Sequence, residues 1–158
     1  MAIVIVILFA LLGLMALGWR NRRRRQAGIA ELAPTPAQLG SIHGSFDGLY
    51  VATTIADEPI NRVAVRGLGF RSMTTVTVAA SGLAIAIPGV DPFIPLGAIR
   101  DVGRSTWTID RVVETGGLIR VGWDLGDTAV DSYFRLRDPE GFLAALTPLT
   151  TPTTGTHV

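Results

Sequence analysis

Residues 2–19, "AIVIVILFALLGLMALGW", contain no charged side chain. As a helix this stretch is about 27 Å long, at the short end of what crosses a hydrocarbon core about 30 Å thick. It shows no helical or strand period. A helix packed on the outside of a domain keeps a polar face, and this one has none. A secretory signal would carry its basic residues before the apolar run and a small-residue cleavage site after it. Here Ala16-Leu17-Gly18 runs directly into Trp19-Arg20, and the basic cluster follows. The pattern predicts a transmembrane helix over residues 2–19.

The pattern then changes twice. Residues 20–43 form a basic juxtamembrane segment and a linker. "AELAPTPAQLGSIHG" (30–44), with Pro34 and Pro36, has no period and reads as semi-extended. From residue 44 to residue 148 the signals are those of strands. "FDGLYVATTI" is aromatic and β-branched, and "NRVAVRG" alternates. "TTVTVAASGLAIAI" reads as a hairpin turning at Ser81-Gly82. "PFIPLGAIRDVGRSTW" reads as one strand broken near Gly97. "GLIRVGWDLGD" places Ile119, Val121, Trp123 and Leu125 on one face and Arg120 and Asp124 on the other. "AVDSYFRLR" turns Val130, Ser132, Phe134 and Leu136 inward and Asp131, Arg135 and Arg137 outward.

The period finally becomes helical in "DPEGFLAAL". Asp138 suits the N-cap, Pro139 the first helical position and Glu140 the first turn. Phe142, Leu143 and Leu146 share one face, and Pro148 and Pro152 are expected to end the helix. Residues 149–158 read as a disordered tail. About seven antiparallel strands and one C-terminal helix predict a curled, partly open barrel with the helix plugging its mouth. Trp123 and Phe134 are expected on its inner face, with Phe142 nearby.

Charge sharpens this picture. The chain of 158 residues has a net charge of +1, with fourteen Arg, no Lys and no Cys. Five of those Arg (Arg20, Arg22, Arg23, Arg24 and Arg25) lie in the first 26 residues, which contain no acid. The remainder sets nine Arg against thirteen Asp and Glu, a balance of −4. Basic residues flanking a span stay in the cytoplasm, so the N-terminus is expected outside and the domain inside. Trp19 suits the headgroup belt, and the Arg cluster is expected to attract anionic lipid headgroups. An acidic domain is a poor nucleic-acid binder, because phosphate neutralisation supplies most of that affinity.

Candidate chemistry is sparse. His43, beside Gly44, reads as a loop residue and His157 lies in the tail, so no nucleophile–base set assembles. The absence of Cys removes thiolate sites. Asp124, Asp127 and Asp131 have the spacing of a hairpin turn rather than a hard-cation loop. "RGLGF" and "GGLIR" lack phosphate-loop spacing. Trp107 and Trp123 could stack a ligand, but Trp123 alternates with apolar neighbours and reads as core. These features predict neither an enzyme nor a cofactor or metal.

The succession "VTVAASGLAIAI", "FIPLGAIRDV", "LIRVGWDLGD" and "YFRLRDPEGFLAAL" resembles bacterial domains of the pleckstrin-homology-like (PH-like) fold. With "GLYVATTIADEPINRVAVRGLG" after the apolar helix and Arg run, residues 3–147 resemble a family of small actinobacterial single-pass membrane proteins with a cytosolic PH-like domain. The resemblance implies no catalytic residues. Phosphoinositide-binding PH domains use a basic loop between their first two strands. Here that loop is "ADEPINR", with Asp57 and Glu58 against Arg62. Arg62, Arg66 and Arg71 form a possible ligand patch, or are scattered solvated charges, as the acidic balance favours.

The expected function is a cytoplasmic interaction module anchored in the inner (cell) membrane, a scaffold or adaptor that binds a protein partner at the inner leaflet. The alternatives are an anionic-lipid sensor and an accessory subunit of a membrane transporter.

Overall fold

The computed structural model describes the backbone of residues 2–26, 30–63, 68–105 and 117–150, and the side chains of all of these except residues 2, 3, 19, 21–26 and 59. Helix α1 spans Ala2–Gln26. Its large apolar side chains from Val4 to Leu17 are all exposed by half or more, from 50% at Leu12 to 72% at Met15. Among the described residues, nothing in the domain buries them. The stretch expected to span a membrane is helical, with its apolar side chains from Val4 to Leu17 uncovered. Among the described residues, however, no helix is long and apolar enough to cross a membrane.

The described residues after α1 hold nine strands and a second helix. The strands are β1 (Ala33–Pro34), β2 (Ile42–Ile55), β3 (Glu58–Arg62), β4 (Ser72–Ala79), β5 (Gly82–Ala86), β6 (Pro92–Pro95), β7 (Ile99–Ser105), β8 (Leu118–Leu125) and β9 (Thr128–Leu136), followed by α2 (Pro139–Thr150). All pairings are antiparallel, in the order β1-β6-β5-β4-β2-β9-β8-β7, with β3 paired to β2.

The long strand β2 joins the two halves of the sheet. Residues Ile42–Tyr50 pair with β4, and Gly48–Ile55 pair with β9. A register shift between Tyr50 and Ala52 lets one strand serve both, as bulges bend a strand and increase its twist. The result is an antiparallel, partly open sheet closed at one end by a C-terminal helix.

The core follows the alternation. Val76, Val78, Leu83, Ile94, Val121 and Phe134 are fully buried, Ile119 and Trp123 nearly so, and Phe142 and Leu146 of α2 close the interior. α2 starts where capping chemistry places it. The Gly141 N–H donates to Asp138 Oδ1 at 2.9 Å, which satisfies an amide with no intrahelical partner.

Several expectations change on folding. The β4–β5 turn is made by Ala80 and Ser81, and Gly82 is the first residue of β5, opposite Ala79. Its φ of +146°, with the Ile94 carbonyl where a Cβ would stand, explains the glycine. The strand broken near Gly97 is two strands joined by a 3₁₀ turn, Leu96–Ala98. β6 pairs with β5 and β7 with β8, so the chain crosses from one side of the open sheet to the other.

Segment 30–44 is extended, but it is held by the sheet. Ala33 pairs with Phe93, Ala30 and Leu32 pack on the core, and Ser81 Oγ donates to the Leu39 carbonyl at 2.8 Å. His43, read as a loop residue, lies on β2 at a register shift. Asp131, expected outward, is 4% exposed. α2 runs through Pro148 to Thr150 instead of ending before it, because near a C-terminus a missing N–H costs only one late hydrogen bond. Residues 64–67 of "NRVAVRG", Trp107, and residues 151–158 of the expected tail lie outside the described residues.

Candidate functional site

Asp47 on β2, Thr74 and Thr75 on β4, Ile87 and Asp91 in the β5–β6 connection, and Arg137 after β9 line an open cleft of about 500 Å³. Strand register sets its polar groups. Asp47 lies opposite Thr75, whose Oγ1 donates to Asp47 Oδ1 at 2.7 Å. The Arg137 N–H donates to the Asp47 carbonyl at 3.0 Å, which fixes the rim where β9 ends. On the far side, the Ile87 carbonyl accepts from Val90 N and Asp91 N at 3.1 and 3.3 Å and closes a turn. Asp91 then adopts a φ of +40°, a left-handed conformation that Asp tolerates better than most residues. Thr35 Oγ1 donates to its carbonyl at 3.0 Å, tying the segment before β2 to the cleft. Thr74 is buried, and its Oγ1 has no hydrogen-bond partner among the described residues.

The barrel interior holds a chain of hydroxyls. Tyr50 OH donates to the Leu68 carbonyl at 2.7 Å and lies 2.7 Å from Thr53 Oγ1. Thr53 Oγ1 is 2.6 Å from Ser132 Oγ, which accepts from Trp123 Nε1 at 2.9 Å. Burial pushes the Tyr50 phenol well above its ordinary range, against smaller opposing effects from the Thr53 hydrogen bond and the Arg62 charge. Burial also raises the Tyr133 phenol, with the Asp131 carboxylate adding to it. Each polar member of the Tyr50–Trp123 chain is satisfied by another, so it fixes β2, β8 and β9 together and presents no reactive group outward.

Outside the barrel, a charge ladder crosses β7, β8 and β9. Arg100 Nε lies 3.1 Å from Asp124 and its Nη2 3.6 Å from Asp131. Arg120 Nη1 lies 3.3 Å from Asp131, and its Nη2 pairs with Asp101. Two guanidiniums thus make the burial of Asp131 tolerable. Asp124 and Asp131 face arginines, and Asp127 sits in the β8–β9 turn. Among the described residues, no group of three His, Cys, Asp or Glu side chains could hold a metal.

The candidate residues from the sequence lie apart from this cleft. Arg20 is exposed on α1. Trp19, Arg22, Arg23, Arg24 and Arg25 lie on the same helix, with side chains outside the described residues. Arg62 ends β3 opposite Thr54, and Arg71 immediately precedes β4, so both flank the second half of β2. Arg66 lies outside the described residues. Exposed Ile60 (83%) and Phe70 (77%) share that region. Sequence reasoning missed the cleft. Its available signal was Thr74, a polar residue in phase with core residues Val76 and Val78.

Among solved structures, the C-terminal domain of an unknown protein from Leishmania infantum is similar at 14% identity and a TM-score of 0.46, covering 86% of this chain and 97% of that one. An activated truncation of Vav1 is similar at 12% identity and a TM-score of 0.45, covering 87% of this chain and 33% of that one. A comparison with curated proteins found no match. Residues 29–147 match the family described as bacterial PH domain-like. The match begins beside Ala30, the first residue after α1 to pack on the core, and ends within α2, whose Phe142 and Leu146 complete it. It covers most of the chain and both halves of the sheet that β2 joins, and on that ground this chain belongs to the bacterial PH domain-like family.

Proposed function

We propose that this protein is a membrane-anchored interaction module. α1 sits in the cell membrane with its N-terminus outside, Arg20–Arg25 rest against the inner leaflet, and the PH-like domain binds a protein partner in the cytoplasm. The observation that carries this reading is the uncovered apolar surface of α1. Its side chains from Val4 to Leu17 are at least half exposed, and a continuous apolar sleeve of this size is stable in lipid rather than in water. The basic cluster follows the apolar run, which supports the orientation.

Partner choice is argued from charge. The domain side of the chain carries −4, and an anionic leaflet repels it. The loop that meets phosphoinositides in other PH domains here carries Asp57 and Glu58. A protein is the better-matched occupant of such a surface. The test is extraction of membranes with alkaline carbonate, followed by detergent purification after in-cell crosslinking. The expected outcome is retention in the membrane pellet and a crosslinked protein mapping to the domain. Release by carbonate would remove the anchor. Retention with co-purified anionic lipid and no protein crosslink would favour a lipid sensor, and a crosslink confined to a transport protein would favour an accessory subunit.

A further inference from the structure

The chain leaving α1 enters the domain at one end of the sheet. Four residue steps separate Gln26 from Ala30, so their Cα atoms are at most about 14 Å apart. Ala30 packs on the core beside the β8–β9 turn, where a Cβ on Gly126 would stand 2.7 Å from its own. The β2–β3 turn lies at the same end. Ile55 pairs with Val130, and the Ala56 N–H donates to the Ala129 carbonyl at 2.9 Å. β3 continues from that turn, and its Ile60 is 83% exposed. Phe70, 77% exposed, follows Leu68, whose carbonyl accepts from the Thr53 N–H on the same half of β2. Among the described residues these are the two most exposed large apolar side chains, more open than any described in α1.

We infer that this end of the domain rests on the inner leaflet, with Ile60 and Phe70 entering the boundary between headgroups and acyl chains. Apolar side chains at the end of a domain held nearest a bilayer leave water by entering it. Arg62 and Arg71 stand beside them in the chain. Arginine next to an apolar tip suits such an interface, where its stem lies in the apolar layer and its guanidinium meets phosphate. Asp57, Glu58 and Asp127 in the two turns oppose an anionic surface, and the five arginines of residues 20–25 reach the leaflet at the same place and offset them. Two side chains bury too little to hold a free domain with a balance of −4. Tethering by α1 raises the effective concentration of the surface, so the contact forms once the anchor is in place. The inference rests on the reading of α1 as a membrane anchor and adds the orientation of the domain. It leaves the Ile42 end of β2 facing the cytoplasm and a protein partner.

The experiment uses the full chain in lipid nanodiscs of phosphatidylethanolamine and phosphatidylglycerol. The chain has no Cys, so a nitroxide is attached to a single cysteine at position 60, 70 or 80. Ala80 is the control, exposed in the β4–β5 turn at the opposite end of β2. Power saturation with oxygen, which partitions into lipid, and with a nickel chelate, which stays in water, reads the depth of each label. The labels at 60 and 70 are expected to be open to oxygen and shielded from nickel, and the label at 80 the reverse. In a second set the label sits at position 127, exposed in the β8–β9 turn. There Ile60→Ser combined with Phe70→Ser should raise nickel accessibility while leaving the Tm in detergent unchanged, because both side chains lie outside the core. Nickel-accessible labels at 60 and 70, equal depth at 60 and 80, or a label at 127 indifferent to the double substitution would each overturn the inference. Alkaline carbonate extraction of cell membranes separates the two readings. Retention of the chain with any of those results removes the leaflet contact and keeps the anchor, whereas release removes both.

Discussion

The ring of Phe142 stands edge-on to that of Phe46, with centroids 5.6 Å apart and planes at 88°. This contact joins α2 to the first half of β2, and Phe142 is fully buried beneath it. The helix is part of the core rather than an attachment to it. Edge-to-face pairs add to the burial of two large apolar rings.

Phe142→Ala should therefore destabilise the domain by about 3–5 kcal/mol, through lost burial and the cavity left behind. Urea unfolding monitored by tryptophan fluorescence would measure it. A loss below about 1 kcal/mol would mean that the helix lies outside the cooperative unit.

Asp131→Asn tests the charge ladder. The carboxylate, with its side chain 6% exposed, lies within 3.6 Å of Arg100 and 3.3 Å of Arg120. Both arginines keep a second acid, Asp124 and Asp101 respectively. The expected loss is about 1–3 kcal/mol, well short of the cost of stranding two buried cations. Thermal unfolding of the two proteins at neutral pH would show it as a lowered Tm.

Tyr50 predicts an alkaline limit. Its folded phenol is raised by burial above the unfolded value, which is about 10. The group's contribution is fully present below that unfolded value and is lost as pH climbs through and beyond it, because the unfolded state releases the proton first. Tyr50→Phe should cost about 1–3 kcal/mol at pH 7 by leaving the Leu68 carbonyl and Thr53 hydroxyl without that partner. The gap between variant and parent should narrow above pH 10. Chemical denaturation at pH 7, 9 and 11 gives the comparison, and a constant gap would contradict it.

The proposed membrane anchoring separates anchor from domain. Residues 30–150, which contain the whole described core, should stay in the supernatant with anionic vesicles at moderate salt. The full chain should sediment with them. Strong binding of the shortened chain that Arg62→Ala or Arg71→Ala abolishes would transfer the lipid contact to the β2–β3 end. Because the chain has no Cys, single cysteines placed at position 2 and at position 127, exposed in the β8–β9 turn, would report topology without background. Labelling by an impermeant maleimide is expected only at position 2.

The alternation of β8 and β9 was readable in the sequence because one face is apolar and the other is not. Val121, Trp123 and Phe134 are buried as their phase demands. Asp131 broke the pattern because a charged residue on the outer face can still be buried when two arginines from neighbouring strands cover it, and that pairing is non-local. The β6–β7 break announced itself through Pro95 and Gly97. The parting of the two strands to opposite sides of the sheet did not, since no local signal encodes which partner a strand takes. The short strand β1 was hidden by prolines that suit an edge. Thr74 could have marked the cleft, but in a threonine-rich strand its phase is visible only once the register is known.

Strand β2 has a consequence for the order in which this protein is made. It is synthesised early, yet its second half pairs with β9, the last strand of the sheet. The domain cannot close until residues 128–136 have left the ribosome, about 5–20 s after α1 at ordinary elongation rates. In the anchored reading α1 has by then entered the bilayer, so β2 waits half-paired within reach of the leaflet. The acidic balance of the domain then guards the nascent chain, keeping an unfinished sheet off the anionic surface until its final strand arrives.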